Sequence, residues 1–340
     1  VASASGSEKP SALAAQPRAL RVAFFGTPDF AAPSFERILA GPHRVAVAVT
    51  QPDRPRGRGR KIEPGPVAAR ALAAGVPLLQ PERVGAPEVV AEIARHAPDL
   101  GVVVAFGQFL PKQVRELPQL GYLINGHASL LPRHRGAAPI QHAILAGDAE
   151  TGVSVMRVER EMDAGAVALV KRTPIGEHET AGELFDRLAA LTADALAEAL
   201  DRIAANRATW TEQDHARATL APKIEPADAE LDFTHAAAAL ARRVRAMSPR
   251  PGARAHLGAE VLRVLAAHAE AGDASLSPGT LQRAGDGVRV ATASGWLALD
   301  RLQRAGGKPL ATAEWLRGFA IAGGARFTTP PPAARGEAAE

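Results

Sequence analysis

The sequence predicts an α/β chain in two parts: a Rossmann-like parallel-sheet domain covered by helices on both faces, then a smaller β-barrel (OB-like) domain. Three observations carry that expectation. Short apolar runs at Leu20–Phe25, Val45–Thr50 and Leu100–Ala105 are separated by segments with helical spacing, the alternation that a parallel sheet with crossover helices requires. Each run is apolar throughout rather than at every second residue, as in strands buried on both faces. From about residue 227 the pattern changes to brief apolar runs punctuated by glycines and Asp-Gly turns, which suits a small barrel.

The elements follow in chain order. Residues 1–18, rich in Ala and Ser and without periodicity, are expected to be a disordered extension. They hold no long apolar stretch, so a secretory signal is not expected; few arginines and one acid, Glu8, make a poor transit peptide, and an organelle location stays open beside the cytoplasm. The first domain spans residues 19–206. Gly26, Gln51, Phe106 and Asn125 fall at strand carboxyl ends, where open α/β sheets bind ligands. Thr27 reads as an N-cap and Pro28 as a first helical residue. Gly152–Val158 alternates like a strand, Met162–Gly165 reads as a turn, and Glu183–Ala205 as a long helix. Residues 207–226, polar and with two prolines, are expected to be a linker. The second domain, 227–328, opens with a helix over Ala236–Met247. Strands are expected over Arg254–Leu257, Glu260–Ala267, Gly279–Gln282, Gly287–Thr292 and Trp296–Leu302, with Trp315 in a terminal helix. Residues 329–340, rich in Pro, Ala and Glu, are expected to be a disordered tail.

Composition excludes several functions. The chain has 340 residues, 46% of them hydrophobic, enough for more than one buried core. It has no cysteine, so disulfides, thiolate metal sites and a cysteine nucleophile are out. No apolar run approaches the roughly 18 residues that span a bilayer. A bacterial cytoplasm is the expected location, with no membrane partner. The net charge is only +4, with a pI of about 9.8, so the placement of basic residues matters more than their number. Arg56, Arg58, Arg60 and Lys61 form one cluster. Arg242, Arg243, Arg245, Arg250 and Arg254 form a second, with Lys223 not far before it. Two such clusters suit a polyanion, although a GC-rich genome that writes arginine for lysine would leave the same trace.

The loop after the first strand, Gly26-Thr-Pro-Asp-Phe30, lacks the G-x-G-x-x-G fingerprint, which disfavours a nicotinamide dehydrogenase. There is no Walker A sequence either. The chemistry is carried by Ile124–Gln141, INGHASLLPRHRGAAPIQ. Asn125 and His127 stand two residues apart at a strand end, so both side chains can point the same way. A carboxamide that binds a developing oxyanion, beside an imidazole that moves a proton, is what acyl transfer needs. A polar pair that merely satisfies a loop would look the same. Asp163, in the turn that follows Gly152–Val158, can reach His127 from a neighbouring strand. A turn aspartate bonded to its own backbone is the plain alternative.

Over about residues 20–325 the chain resembles the folate-dependent formyltransferase superfamily. In that superfamily an Asn, a His and an Asp form the catalytic set, and they match Asn125, His127 and Asp163. Ser129-Leu130-Leu131-Pro132 matches its folate-contacting element. Three features are similar to the branch that formylates methionyl-tRNA: Gly26-Thr-Pro-Asp-Phe30, the basic loop Gln51-Pro-Asp-Arg-Pro-Arg-Gly-Arg-Gly-Arg-Lys61, and the added C-terminal domain. Some positions depart from the pattern. Gly126 replaces the Val of Asn-Val-His, which is expected to loosen the strand end. His134 stands where the family has Trp, and Ser248-Pro249-Arg250-Pro251-Gly252 replaces Asn-Pro-Trp-Pro-Gly, so aromatic surface is lost at two places.

The resemblance implies transfer of the formyl group of 10-formyltetrahydrofolate to the α-amine of initiator methionyl-tRNA, without a metal and by a chain expected to be a monomer. It assigns tRNA contacts to Arg56, Arg58, Arg60, Lys61, Lys223, Arg242 and Arg245. It also implies that the basic loop enters the acceptor stem, where the first base pair of initiator tRNA is absent or weak, with Arg58 as its key residue. His127, His134 and His142 lack a metal-ligand spacing with carboxylates. Three other readings remain. A formyltransferase acting on a small amine, such as glycinamide ribonucleotide or an amino sugar, and a formyl-folate hydrolase would both lack the basic loop. A non-catalytic tRNA-binding protein would not need Asn125, His127 and Asp163.

Overall fold

In the first domain, apolar runs become strands buried on both faces. Strands β1 (Arg21–Gly26) and β2 (Arg44–Val49) each show one exposed arginine followed by five buried residues. Strand β6 (Leu100–Val104) is buried throughout. The computed structural model describes residues 18–56, 61–273 and 275–328. All but Arg18 of the expected extension, the expected tail, and Arg58 and Arg60 therefore lie outside the described residues. Helix α1 (Ala32–Leu39) follows β1, and a separate two-stranded ribbon, β3 (Pro55–Arg56) with β4 (Lys61–Ile62), follows β2. Then come α2 (Pro66–Ala73), β5 (Leu78–Leu79), α3 (Pro87–Arg95), β6, α4 (Lys112–Arg115), β7 (Leu123–His127), α5 (Pro139–Ala146), β8 (Glu150–Arg157), β9 (Val167–Pro174) and the long α6 (Ala181–Ala204).

The seven-stranded sheet has the order β5-β2-β1-β6-β7-β8-β9. The five strands from β5 to β7 are parallel, whereas β8 and β9 extend the sheet as an antiparallel pair beside β7. Helix α6 begins with a capping box: Glu183 N donates to Thr180 Oγ1 at 3.3 Å, and Thr180 N donates to Glu183 Oε2 at 2.9 Å. Its apolar face, including Leu184, Leu188, Leu196 and Leu200, is fully buried in the core.

Thr27 does not cap a helix. Helix α1 starts later, after Ala31, with Pro33 in its first turn. The Thr27 hydroxyl instead accepts from Gln51 N at 3.0 Å and lies 3.5 Å from the Phe106 carbonyl. It ties together the ends of β1, β2 and β6, and those long-range bonds win over the local capping preference.

The second domain begins with α7 (Ala237–Met247), followed by β10 (Ala253–Leu257), β11 (Glu260–Glu270), β12 (Leu281–Ala284), β13 (Gly287–Ala291), β14 (Trp296–Arg304), β15 (Leu310–Ala311) and α8 (Thr312–Arg317). The strands pair in the order β10-β11-β14-β13-β12, with β15 on β14. Residues 325–328 close the circuit, because Arg326 bridges Thr280 beside β12 while Thr328 bridges His256 in β10. Phe327 N donates to Gly279 O at 2.8 Å, and its ring is buried in a stack on Phe233. A closed barrel leaves no free sheet edge.

One apolar cluster runs from β1 through α6 into α7 and the barrel, so the two domains share a core. The stretch between them, expected as a linker, lies back on the first domain. Thr211 exchanges backbone hydrogen bonds with Val167 at 2.8 and 2.9 Å, and Leu220 bridges Arg135. Trp210 joins Tyr122 in enclosing the Arg157 guanidinium, 4.3 and 4.5 Å from the two ring centres. No helix among the described residues is long and apolar enough to cross a membrane.

Candidate active site

Strand β7 presents Asn125 and His127 on one face and Gly126 on the other. The Gly126 face lies against α6: a Cβ there would meet Thr192 Cγ2 at 2.6 Å and Leu196 Cδ1 at 3.1 Å. Thr192 cannot swing aside freely, since its hydroxyl donates to Leu188 O at 2.7 Å. The expected loosening is therefore absent. Glycine here admits the helix, and α6 occupies the space that a valine would fill.

On the opposite face His127 is buried, at 6% exposure. Its Nε2 donates to the His134 carbonyl at 2.9 Å, and its Nδ1 lies 3.5 Å from Asp163 Oδ2. Asp163 comes from residues 158–166, the connection between β8 and β9, and adopts a left-handed backbone with φ of 53°. Its Oδ2 accepts from Gly136 N at 2.8 Å, so the carboxylate serves the β7–α5 loop rather than its own turn. Asn125 is half-buried, and among the described residues nothing hydrogen-bonds its carboxamide. The three sequence-predicted residues thus gather as a buried imidazole between a carbonyl and a carboxylate, beside a carboxamide free to bind a ligand.

The Ser129–Pro132 segment turns directly out of β7. The Ser129 hydroxyl is fully buried and donates to Arg133 O at 2.7 Å. The Ser154 hydroxyl donates to Ser129 O at 2.8 Å and accepts from Leu131 N at 3.1 Å. The polar groups of this loop are engaged internally, while Leu130, Leu131 and Pro132 remain half-buried and offer apolar surface.

His134 has a role that composition did not indicate. Its backbone is left-handed, with φ of 60°, a conformation that costs energy unless the surroundings hold it. Its Nε2 donates to Asp148 Oδ2 at 2.7 Å, and Asp148 Oδ1 accepts from Arg133 at 2.6 Å. The carbonyl so placed is the one that orients His127. Burial holds the His134 imidazole below its ordinary value of 6.5, with Arg133 and His142 pushing the same way and Asp148 opposing. The folded chain therefore resists a proton that the unfolded chain accepts. This contribution to stability is intact above pH 6.5 and is lost as pH falls from there through the lowered folded value. His134→Gln keeps a donor for Asp148 and does not titrate. Its melting temperature is expected to fall less than the wild type's between about pH 7.5 and pH 5; equal losses in thermal melts would show that His134 does not titrate with unfolding.

The basic residues divide. Arg56 and Lys61 pair across the β3–β4 ribbon, whose base is fastened by Gly65 N donating to Asp53 Oδ1 at 2.9 Å. In the second domain most arginines turn toward protein. Arg245 donates to Gly176 O and Glu179 O, both at 3.2 Å, and so joins the two domains. Arg243 donates to Glu230 O at 3.1 Å, and Arg254 pairs with Glu230 at 3.2 Å. Arg242 extends over Gly147 at the end of α5 with its Nε buried and without a partner. Lys223 is 80% exposed, 3.9 Å from Glu225. Sequence reasoning missed two residues that touch the site's supporting loops, Arg135 and Gln213, both buried. Neither stands in a periodic segment, so no local pattern marked them.

Comparison with known proteins identifies the family. Residues 20–200 match the formyl transferase family, and residues 223–320 match the formyl transferase C-terminal domain. The methionyl-tRNA formyltransferase of Ectopseudomonas mendocina (strain ymp) is 47% identical over 296 residues, covering 87% of this chain and 93% of its own. That of Chromohalobacter salexigens is 48% identical over 303 residues, with the same coverage of 87% and 93%. Among solved structures, an N-formyltransferase from Helicobacter canadensis in complex with folinic acid and dTDP-3-aminofucose is similar, with a TM-score of 0.61 at 14% identity over 82% of this chain and 98% of that one. HypX from Aquifex aeolicus in complex with tetrahydrofolic acid has a TM-score of 0.56 at 17% identity, over 88% of this chain and 47% of that one. At such identities the structural likeness speaks to the fold.

Proposed function

We propose a residue-level mechanism from the premise that this chain belongs to the methionyl-tRNA formyltransferase family and transfers the formyl group of 10-formyltetrahydrofolate to the α-amine of methionyl initiator tRNA. The observation that carries it is the Asn125 carboxamide, without a hydrogen-bond partner among the described residues, on the same strand as His127, which is itself held between the His134 carbonyl and Asp163. These residues fit the co-substrate. Asn125 is half-buried near the carboxyl end of β7, and the half-buried Leu130, Leu131 and Pro132 follow it in the next loop.

In this mechanism Asn125 donates to the formyl oxygen, and that bond strengthens as the oxygen gains negative charge. The α-amine adds to the formyl carbon, giving a tetrahedral adduct with negative charge on the former formyl oxygen; the carbonyl then re-forms as the bond from that carbon to the folate nitrogen breaks. The amine gives up one proton and the folate nitrogen takes one, so no oxidant, reductant or covalent enzyme intermediate is needed. His127, through Nδ1, and Asp163 carry that proton. Ser129 acts through the loop shape that its hydroxyl maintains. The β3–β4 ribbon, with Arg56, Arg58, Arg60 and Lys61, together with Lys223, is proposed to meet the tRNA. Arg242 and Arg245 lie at the domain seam and are proposed to support that surface from below. The chain is proposed to act as a monomer.

The test is formyl transfer by the purified chain to charged initiator tRNA, uncharged tRNA and glycinamide ribonucleotide. Charged initiator tRNA is expected to be formylated, with neither of the others a substrate. Formylation of the small amine alone would overturn the proposal.

A further inference from the structure

We infer that Gln213, on the segment between the two domains, is a positioning residue for transfer: its carboxamide holds the Asp163 turn in place against His127. The inference rests on the proposed catalytic role of Asp163. Gln213 is buried, at 8% exposure. Its Nε2 donates to Asp163 O and to Gly165 O, both at 2.8 Å. Its Oε1 accepts from Arg135 Nε at 3.1 Å and Nη2 at 2.8 Å. Both donors and the acceptor are thus in use.

The bonds close a ring. Arg135 grips Gln213, Gln213 holds the backbone at Asp163, and the Asp163 carboxylate accepts from the N–H of Gly136, the residue next to Arg135. The ring therefore fixes the β8–β9 connection to the β7–α5 loop, which are the two segments that bracket His127. Neither side has slack. Asp163 is left-handed, and a Cβ at Gly165 would lie 2.1 Å from the Arg157 carbonyl. A Cβ at Gly136 would lie 2.6 Å from the Ala221 carbonyl, on the same interdomain segment. With Nδ1 and Oδ2 already 3.5 Å apart, a small shift of the turn takes the carboxylate out of reach. A misplacement of about 1 Å can cost on the order of a hundredfold in rate. One consequence is that a chain ending near Asn206 loses a brace of its active site along with the second domain, so that truncation does not isolate tRNA binding.

Gln213 could instead serve only to satisfy the buried Arg135. Two substitutions separate these roles. Gln213→Glu keeps acceptors for Arg135 but turns a carboxylate toward the Asp163 and Gly165 carbonyls. Gln213→Met keeps the length and loses both sets of bonds. Steady-state formylation of charged initiator tRNA by the full chain is measured for both, and for Asp163→Asn, with thermal melts alongside. For both Gln213 variants kcat is expected to fall by about tenfold to a hundredfold, with KM for folate and for tRNA within about twofold. Wild-type kcat in Gln213→Glu would overturn the inference, as would a raised KM at unchanged kcat. So would activity losses in both variants that merely track the loss of folded protein. Wild-type kcat in Asp163→Asn would instead refute the catalytic role of Asp163, a separate failure that the same experiment identifies.

Discussion

Asn125→Ala and His127→Ala are expected to fold and to lose on the order of 10²–10³ in turnover, or more. Asn125 gives the cleaner test. Its side chain is half-buried and makes no hydrogen bond to protein among the described residues, so its removal breaks no hydrogen bond there. Loss of His127 strands the His134 carbonyl and removes one of the partners of Asp163, which keeps its bond from Gly136. An unmade buried hydrogen bond costs roughly 1–3 kcal/mol, within what a chain with a core shared between domains tolerates. Both groups act on charge that develops during reaction, so the loss should fall on kcat and leave tRNA affinity near the wild type's. Normal turnover in either variant, in a formylation assay at saturating substrates, would remove that residue from the mechanism.

Arg58→Leu is expected to reduce transfer to initiator tRNA by on the order of tenfold to a hundredfold, the worth of one base-stacking or base-bonding contact at about 1–3 kcal/mol. The ladder pairing Pro55 with Ile62 and Arg56 with Lys61 brings the two arms of the loop together, and Asp53 fastens their base to Gly65. Arg58 falls between these segments in sequence and lies outside the described residues. A guanidinium there can bond phosphate or base edges and stack on an opened base. A weak terminal pair is cheap to open, so the variant should also lose preference over a tRNA with a strong first pair. If Arg58 only adds general affinity, both tRNAs should lose a similar small factor that recovers at low salt. Kinetics on the two charged tRNAs at two salt concentrations decide between these outcomes.

The alternation of buried strands and helices, the long α6 and the short-stranded second domain were all legible from periodicity. Periodicity reports which face of an element meets the core, and these elements are long or repeated enough to show it. Spacing placed Asn125 and His127 on one face of a strand, while their catalytic role was implied only by the resemblance to the formyltransferase superfamily. The two charge clusters could be read as clusters, but not by direction. Arg243, Arg245 and Arg254 bond carbonyls and a carboxylate within the protein, a choice made by neighbours far away in the chain.

What the tertiary structure alone decided is non-local. Asp163 meets His127 because a left-handed turn folds back over the sheet, and at sequence level that turn was equally compatible with a self-bonded aspartate. Thr27 looked like a cap, since capping is a local preference of modest energy, but Gln51 and Phe106 offered its hydroxyl other partners. Gly126 gives no slack because α6 lies against it, and His134 does more than remove an aromatic because its carbonyl accepts from His127. Gln213 sat in an aperiodic stretch that gave no sign of entering the site. Side-chain type and spacing specify what a residue is able to do. Which partner it meets depends on packing between segments tens of residues apart, whose energies exceed the local preferences and leave no mark on local pattern.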